Sequence, residues 1–316
     1  MLSKSDPVIR SFSFSIVLAL LLLMTACETV HSEYPAESSR LLLETMTLPA
    51  QFKNDGGTVY AANLDAMVIR PDDGRRHPLV VINHAYSSDP QNVYPDFMRH
   101  RALEFARRGF VAVAFTRRGY GFSDGGFFER LNNCNESAIA KVGVNTADDI
   151  REVIRLMAKM PYVDASKVIA AGEEGGAYAA IALTADPPPG LVAAITFSAG
   201  RVVYRKEFLS CFQPSLNRVA AMFGKTSRIP MLWFYAEGDH YISVDAGRQI
   251  HKNFTEAGGD AELVVIPSSA NVRHNFFIEG TAIWVPYVDH FLQKQGFEKM
   301  DQPRSVSDIR QVYGRT

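Results

Sequence analysis

The segment Gly172-Glu173-Glu174-Gly175-Gly176 constrains this chain more than any other. It follows the short apolar run Val168-Ile169-Ala170-Ala171 and precedes the small, apolar, helix-prone stretch from Ala177 to Thr184. A strand that turns into a helix within so few residues needs positions with little or no side chain, because the backbone is strained and the helix packs close to the strand. Strand, sharp turn and helix are the context of the elbow motif G-x-S-x-G, which presents a serine at its tip. Here the tip is Glu174, a carboxylate in place of the hydroxyl.

Around the elbow, extended and helical patterns alternate. Leu41 to Leu48 and Gly57 to Arg70 read as antiparallel strands, and Pro78-Leu79-Val80-Val81-Ile82 is a continuous apolar run of the kind buried on both faces. A helix over Pro95 to Arg108, stopped by Gly109, precedes the strand Phe110 to Phe115. The next helix is expected over Val144 to Lys159, capped by Asn145 or Thr146, with Ile150, Val153, Ile154 and Met157 at core spacing. Strands over Lys167 to Ala171, Val192 to Phe197, Met231 to Tyr235 and Ala261 to Ile266 follow, with helices over Val244 to Ala257 and Trp284 to Gln295. This alternation predicts an α/β fold with a mostly parallel sheet, helices on both faces, and a ligand site at the carboxyl ends of the strands. The stretch from Arg201 to Arg228 reads as an excursion over that site, and the tail after Glu298 as polar and frayed.

The expected organisation is a leader over residues 1–26, a linker over 27–40, one domain over 41–297 and a tail over 298–316. Lys4 and Arg10 precede nine apolar residues, Ile16 to Met24, which suit a signal-peptide core and are too few to span a membrane. Met24-Thr25-Ala26-Cys27 resembles a lipobox, so Cys27 is the expected lipid-modified first residue and the protein an exported lipoprotein at the periplasmic face of a membrane. A plain secretory signal is the alternative, and both readings export the chain. The remaining cysteines, Cys134 and Cys211, form an even pair that in an oxidising compartment predicts a disulfide; two buried thiols are the other reading. The formal charge of -1 and the absence of a basic stripe give no reason to expect nucleic acid. No His-x-His, HExxH, Cys-x-x-Cys or phosphate-binding glycine pattern occurs, so neither a metal nor a cofactor is expected.

Two further residues complete a constellation with Glu174. Asp239, in Tyr235-Ala236-Glu237-Gly238-Asp239, and His274, in Asn271-Val272-Arg273-His274-Asn275, each lie just past a predicted strand. An elbow residue, then an acid, then a histidine is one chain order of a catalytic triad. Gly121-Phe122-Ser123-Asp124-Gly125 matches G-x-S-x-G literally but lacks a helix behind it, so Ser123 reads as a loop residue. Ser198 borders the strand ends without an elbow.

With these residues in place, the chain resembles the dienelactone-hydrolase-like branch of the α/β-hydrolase superfamily over roughly Leu64 to Leu292. The similarity is carried by Pro78 to His84, Arg117-Arg118-Gly119-Tyr120-Gly121-Phe122-Ser123, the elbow, Pro230 to Asp239, and Tyr287-Val288-Asp289-His290-Phe291-Leu292. The resemblance implies an α/β-hydrolase fold, a small-molecule ester or lactone substrate, and a triad falling on Glu174, Asp239 and His274. It also implies an oxyanion hole drawn from the backbone N–H groups of Ala85 or Tyr86 and of Gly175. The family's His-Gly pair is His84-Ala85 here, and a Cβ at position 85 narrows the hole.

A carboxylate at the elbow changes the chemistry. Opposite charges about 4 Å apart at an effective dielectric near 20 interact by roughly 4 kcal/mol, enough to hold His274 as an imidazolium between Glu174 and Asp239. One reading is a catalytically inactive pseudohydrolase that binds a ligand or partner. The other is a hydrolase in which Glu174 attacks carbon, as the elbow aspartate of dehalogenases and epoxide hydrolases does, or activates water.

Overall fold

The computed structural model describes residues 40–131, 133–201, 209–270, 272–298 and 309–312. The leader, Cys27 and most of the linker lie outside the described residues, as does Asn271.

Long apolar runs become strands. β1 (Leu41–Lys53) and β2 (Val59–Pro71) pair antiparallel, and β2 continues antiparallel onto β4 (Val111–Phe115). β3 (His77–Asn83), β4, β5 (Val163–Glu173), β6 (Leu191–Phe197), β7 (Met231–Ala236) and β8 (Ala261–Ile266) are parallel. The sheet order is β8-β7-β6-β5-β3-β4-β2-β1-β9, where β9 (Ile309–Val312) pairs with β1. That last strand corrects the expectation of a frayed tail: part of it closes the edge of the sheet. Its four residues, Ile309-Arg310-Gln311-Val312, do not alternate and are too few to read as a strand in isolation.

The central strands are buried on both faces, with side chains alternating between two cores. Leu79, Val81, Val111, Val113, Val168 and Ala170 face one; Val80, Ile82, Ala112, Ala114, Ile169 and Ala171 face the other. The first core is covered by α2 (Glu136–Met157), α3 (Gly175–Ala185), α4 (Leu209–Gly224) and α5 (Val244–Glu256). The second is covered by α1 (Arg99–Arg107), the single turn α6 (Phe276–Glu279) and α7 (Thr281–Lys294).

Helix α2 begins eight residues before the expected start, and its cap is Asn135, whose side chain accepts the Ala138 N–H at 3.0 Å. Thr146, one of the expected caps, instead returns its hydroxyl to the carbonyls of Val142 and Gly143 inside the helix. Ile139 and Val142 extend the core spacing of Ile150 and Val153 upstream, and Glu136 just after Asn135 is a favourable start, so the sequence carried signals for these turns that the reading stopped short of. The excursion after Arg201 contains α4, which the sequence reading left without an element. Cys134 and Cys211 form the expected disulfide and tie the entry of α2 to the first turn of α4.

Candidate active site

Each member of the expected constellation stands at the carboxyl end of a strand. Glu174 joins β5 to α3 with φ 47° and ψ -112°, a conformation that favours glycine and is costly for a glutamate. The surrounding packing fixes it. Its N–H donates to the Phe197 carbonyl at 2.9 Å, and its carbonyl accepts the Tyr178 N–H at 2.9 Å. A Cβ on Gly172 would lie 2.5 Å from the Gly176 backbone, and one on Gly176 would lie 2.5 Å from the His84 carbonyl oxygen. The two glycines therefore allow α3 to start directly against β5 and the loop after β3.

The Glu174 side chain is buried, at 3% exposure, and its Oε2 accepts the Tyr86 N–H at 3.0 Å. Tyr86 is thus the donor offered by the loop after β3, while Ala85 contributes its carbonyl, which accepts from His84 Nδ1 at 2.6 Å. Gly175 faces the same loop: a Cβ there would lie 3.2 Å from the Tyr86 nitrogen. The carboxylate occupies the place where the resemblance puts a substrate oxyanion.

Asp239 and His274 are brought together as expected. His274 Nδ1 donates to Asp239 Oδ2 at 2.9 Å. Asp239 Oδ1 accepts the N–H groups of Tyr241 and Ile242 at 2.8 and 3.0 Å, and Ser198 Oγ donates to Oδ2 at 2.8 Å. Burial opposes ionisation of Asp239, but these bonds and His274 outweigh it and hold the carboxyl below its usual range. Burial likewise opposes charge on His274, yet the bond to Asp239 and the charges of Asp239, Glu174 and Glu173 push its pKa up. The closed Glu174–His274–Asp239 chain of contacts expected from sequence takes a different form. His274 is ion-paired with Asp239 and feels Glu174 through its charge, and Glu174 Oε2 accepts the Tyr86 N–H. Glu173, the neighbouring acid, is bound to Arg101 at 2.6 Å.

Several site residues were not singled out in the sequence. Ser198, noted only as a border residue, supports the acid and is itself held at φ 46°. Beneath the Tyr86 loop lies a buried cluster in which Glu129 binds Arg117 at 2.5 Å and Arg201 at 2.9 Å. Arg117 also donates to the His84 carbonyl at 2.7 Å, and the Arg201 guanidinium lies 4.7 Å from the centre of the Tyr86 ring. Burial and the neighbouring Arg117 lower the His84 pKa to about 3, so its ring is neutral, with Nε2 accepting the Arg117 N–H at 3.2 Å. The only sequence signal for this cluster is position, since Arg117 and Arg201 both follow strands that end at the site. Ser123 is the loop residue it was read to be: its hydroxyl accepts the Asp65 N–H and bonds Thr116. Among the described residues no group of three or more His, Cys, Asp or Glu side chains is arranged to hold a metal ion, and no helix is long and apolar enough to cross a membrane.

Residues 55–211, just under half of the chain, match the family model of the X-Pro dipeptidyl-peptidases (S15 family). No curated protein matches the chain by sequence. Among solved structures, esterase 2 of Thermogutta terrifontis, phosphorylated by paraoxon, is similar with a TM-score of 0.55 and 21% identity, over 85% of this chain and 99% of that one. An esterase of Pyrococcus furiosus gives 0.55 and 16% over 79% and 92%. A Klebsiella pneumoniae structure titled as a dienelactone hydrolase gives 0.56 and 19% over 80% and 99%. By its strand order, its elbow and these likenesses, the chain has the α/β-hydrolase fold.

Proposed function

We propose that the protein is a hydrolase in which the elbow carboxylate of Glu174 replaces the serine nucleophile and acts on a lactone or related small substrate at a saturated carbon. The fold and the S15 match support a hydrolase. The observation that carries the finer reading is the 3.0 Å bond from the Tyr86 N–H to Glu174 Oε2, made by a residue held at positive φ on the elbow. A carboxylate attacking an acyl carbon would form an anhydride, an unfavourable route. Attack by Oε1 on a saturated carbon that bears a leaving group, as in a strained lactone, an epoxide or a haloalkane, forms an alkyl ester of Glu174. Oε2 then becomes the ester carbonyl oxygen, already seated on the Tyr86 N–H.

The charge pattern suits both halves of this cycle. With Glu174 ionised, His274 is raised toward its protonated form and is available to protonate a leaving oxygen. Ester formation removes the Glu174 charge, so His274 becomes easier to deprotonate and, oriented by Asp239, takes a proton from water. The resulting hydroxide adds to the ester carbonyl, the oxyanion forms on Oε2 beside the Tyr86 N–H, and collapse releases the alcohol oxygen and regenerates the carboxylate.

The test is turnover of a panel of short aryl esters, lactones, epoxides and haloalkanes by the protein and by Glu174→Gln. The amide keeps an oxygen for Tyr86 but is no nucleophile, so activity lost by about 10³-fold or more supports the reading. Equal activity in both proteins refutes it. A second reading, a pseudohydrolase that binds an envelope ligand or partner, is favoured by the same bond, because Glu174 occupies the donor that a substrate oxyanion would use; no turnover across the panel supports it. We place the protein in the cell envelope, anchored to a membrane through Cys27; the Cys134–Cys211 disulfide fits an oxidising compartment.

A further inference from the structure

Glu173 is a second carboxylate at the elbow, the last residue of β5 and the one before Glu174. Its side chain is 16% exposed and meets Arg101, 5% exposed, whose Nη2 donates to both carboxylate oxygens at 2.6 Å. In a pair this far from solvent, losing one partner leaves the other charge largely unbalanced. Arg101 lies in the first turn of α1 and is fixed from two more sides. Its Nη1 donates to the Phe97 carbonyl at 2.9 Å, and its guanidinium lies 5.3 Å from the centre of the Phe277 ring.

Phe277 connects this pair to the histidine. It stands three residues beyond His274 and stacks on Phe197 at 3.9 Å, and the Phe197 carbonyl accepts the Glu174 N–H at 2.9 Å. Arg101 therefore touches both the residue before the elbow tip and the turn that follows the histidine. The charges that act on His274 are those of Asp239, its bonded partner, and of Glu174 and Glu173; Arg273 beside it is exposed, and the Tyr241 ring lies 4.8 Å away. Ester formation at Glu174 removes one of these charges, but Glu173 remains, and a carboxylate left unpaired there would keep the imidazolium from yielding its proton. We propose that Arg101 is a positioning residue of the site: clamped to Glu173 and packed on Phe277, it screens that carboxylate from His274 and leaves Asp239 and Glu174 to govern the ring's proton. Screening of this kind serves the cycle proposed above, and it operates with or without turnover.

The test is NMR titration of the imidazole rings in the whole protein, with the His274 signal assigned by its loss in His274→Gln. Arg101→Met unbalances Glu173 and should lower the acid dissociation constant of His274 about threefold or more, whereas Glu173→Gln unbalances the guanidinium and should raise it about threefold or more. The combined variant should return to within about twofold of the parent. An unchanged constant in either single variant overturns the proposal. So does a combined variant that titrates like Arg101→Met, because displaced packing rather than charge would then be at work. If Arg101→Met does not fold, the rise in Glu173→Gln and its reversal in the combined variant decide the matter, and the absence of either overturns the proposal. No substrate enters the titration, so its failure and that of the Glu174→Gln assay are read separately.

Discussion

Replacing Cys134 and Cys211 together by serine removes a cross-link between positions 77 residues apart. The loop-closure relation for a loop of that length gives about 4.5 kcal/mol at 25 °C. Net stabilities of folded domains are typically about 5–15 kcal/mol, so the loss would take a large share of the total. At about 2–4 °C per kcal/mol for a large domain, the midpoint of thermal unfolding should fall by roughly 9–18 °C. The consequence is also local. Glu129 lies between the end of β4 and Cys134, and Arg201 lies between β6 and Cys211, so the disulfide closes the loops that carry both partners of the 2.9 Å pair. Urea unfolding of the parent and the double serine variant, with a thiol count before each titration, measures the effect. A loss below about 1 kcal/mol, with the parent's disulfide intact, would refute the loop-closure reasoning.

Gly176→Ala places a Cβ 2.5 Å from the His84 carbonyl oxygen, where both partners are backbone, and should cost about 1–3 kcal/mol in urea unfolding; a neutral substitution contradicts the close approach of α3 to β3. Ser198→Ala removes one of the donors on Asp239 and should cost about 1.5–3 kcal/mol. It should also move the His274 titration, followed by NMR of the ring, further up, because Oδ2 then has one donor fewer; an unchanged titration contradicts the role given to Ser198. The pH dependence of stability above neutrality should follow His274. His274 is raised above its ordinary 6.5, so its contribution is complete below that value and is lost as pH rises through the folded value. His84 is lowered to about 3, so its contribution falls as pH drops from 6.5 toward 3, while Asp149, raised by burial to about 7, contributes with the opposite sign over nearly the same range and offsets it. Urea midpoints that rise steadily as pH increases above neutrality contradict this assignment.

The architecture was legible because its strands are long apolar runs bounded by turn residues, and β8 was read with its observed limits. The elbow was legible because Gly172 and Gly176 make two backbones meet, a demand that few residue types satisfy. The strand β9 was missed because it is specified by pairing with Leu41–Glu44 rather than by local pattern, whereas the start of α2 had local signals, the capping Asn135 and the core positions Ile139 and Val142, that the reading passed over. At the site, chain order located Glu174, Asp239 and His274, but it gave no orientation. The Glu174 carboxylate turns toward the Tyr86 N–H, which lies on a loop from a distant part of the chain.

The claim that Glu174 is a nucleophile has a direct isotopic signature. Water adds to the Glu174 ester carbon and not to the substrate, so the first product molecule carries an oxygen taken from the enzyme. After turnover of a panel substrate in ¹⁸O-labelled water, mass spectrometry of the peptide containing Glu174 should find ¹⁸O in its carboxylate. Label found in the product alone, with an unlabelled Glu174 peptide, would contradict the account.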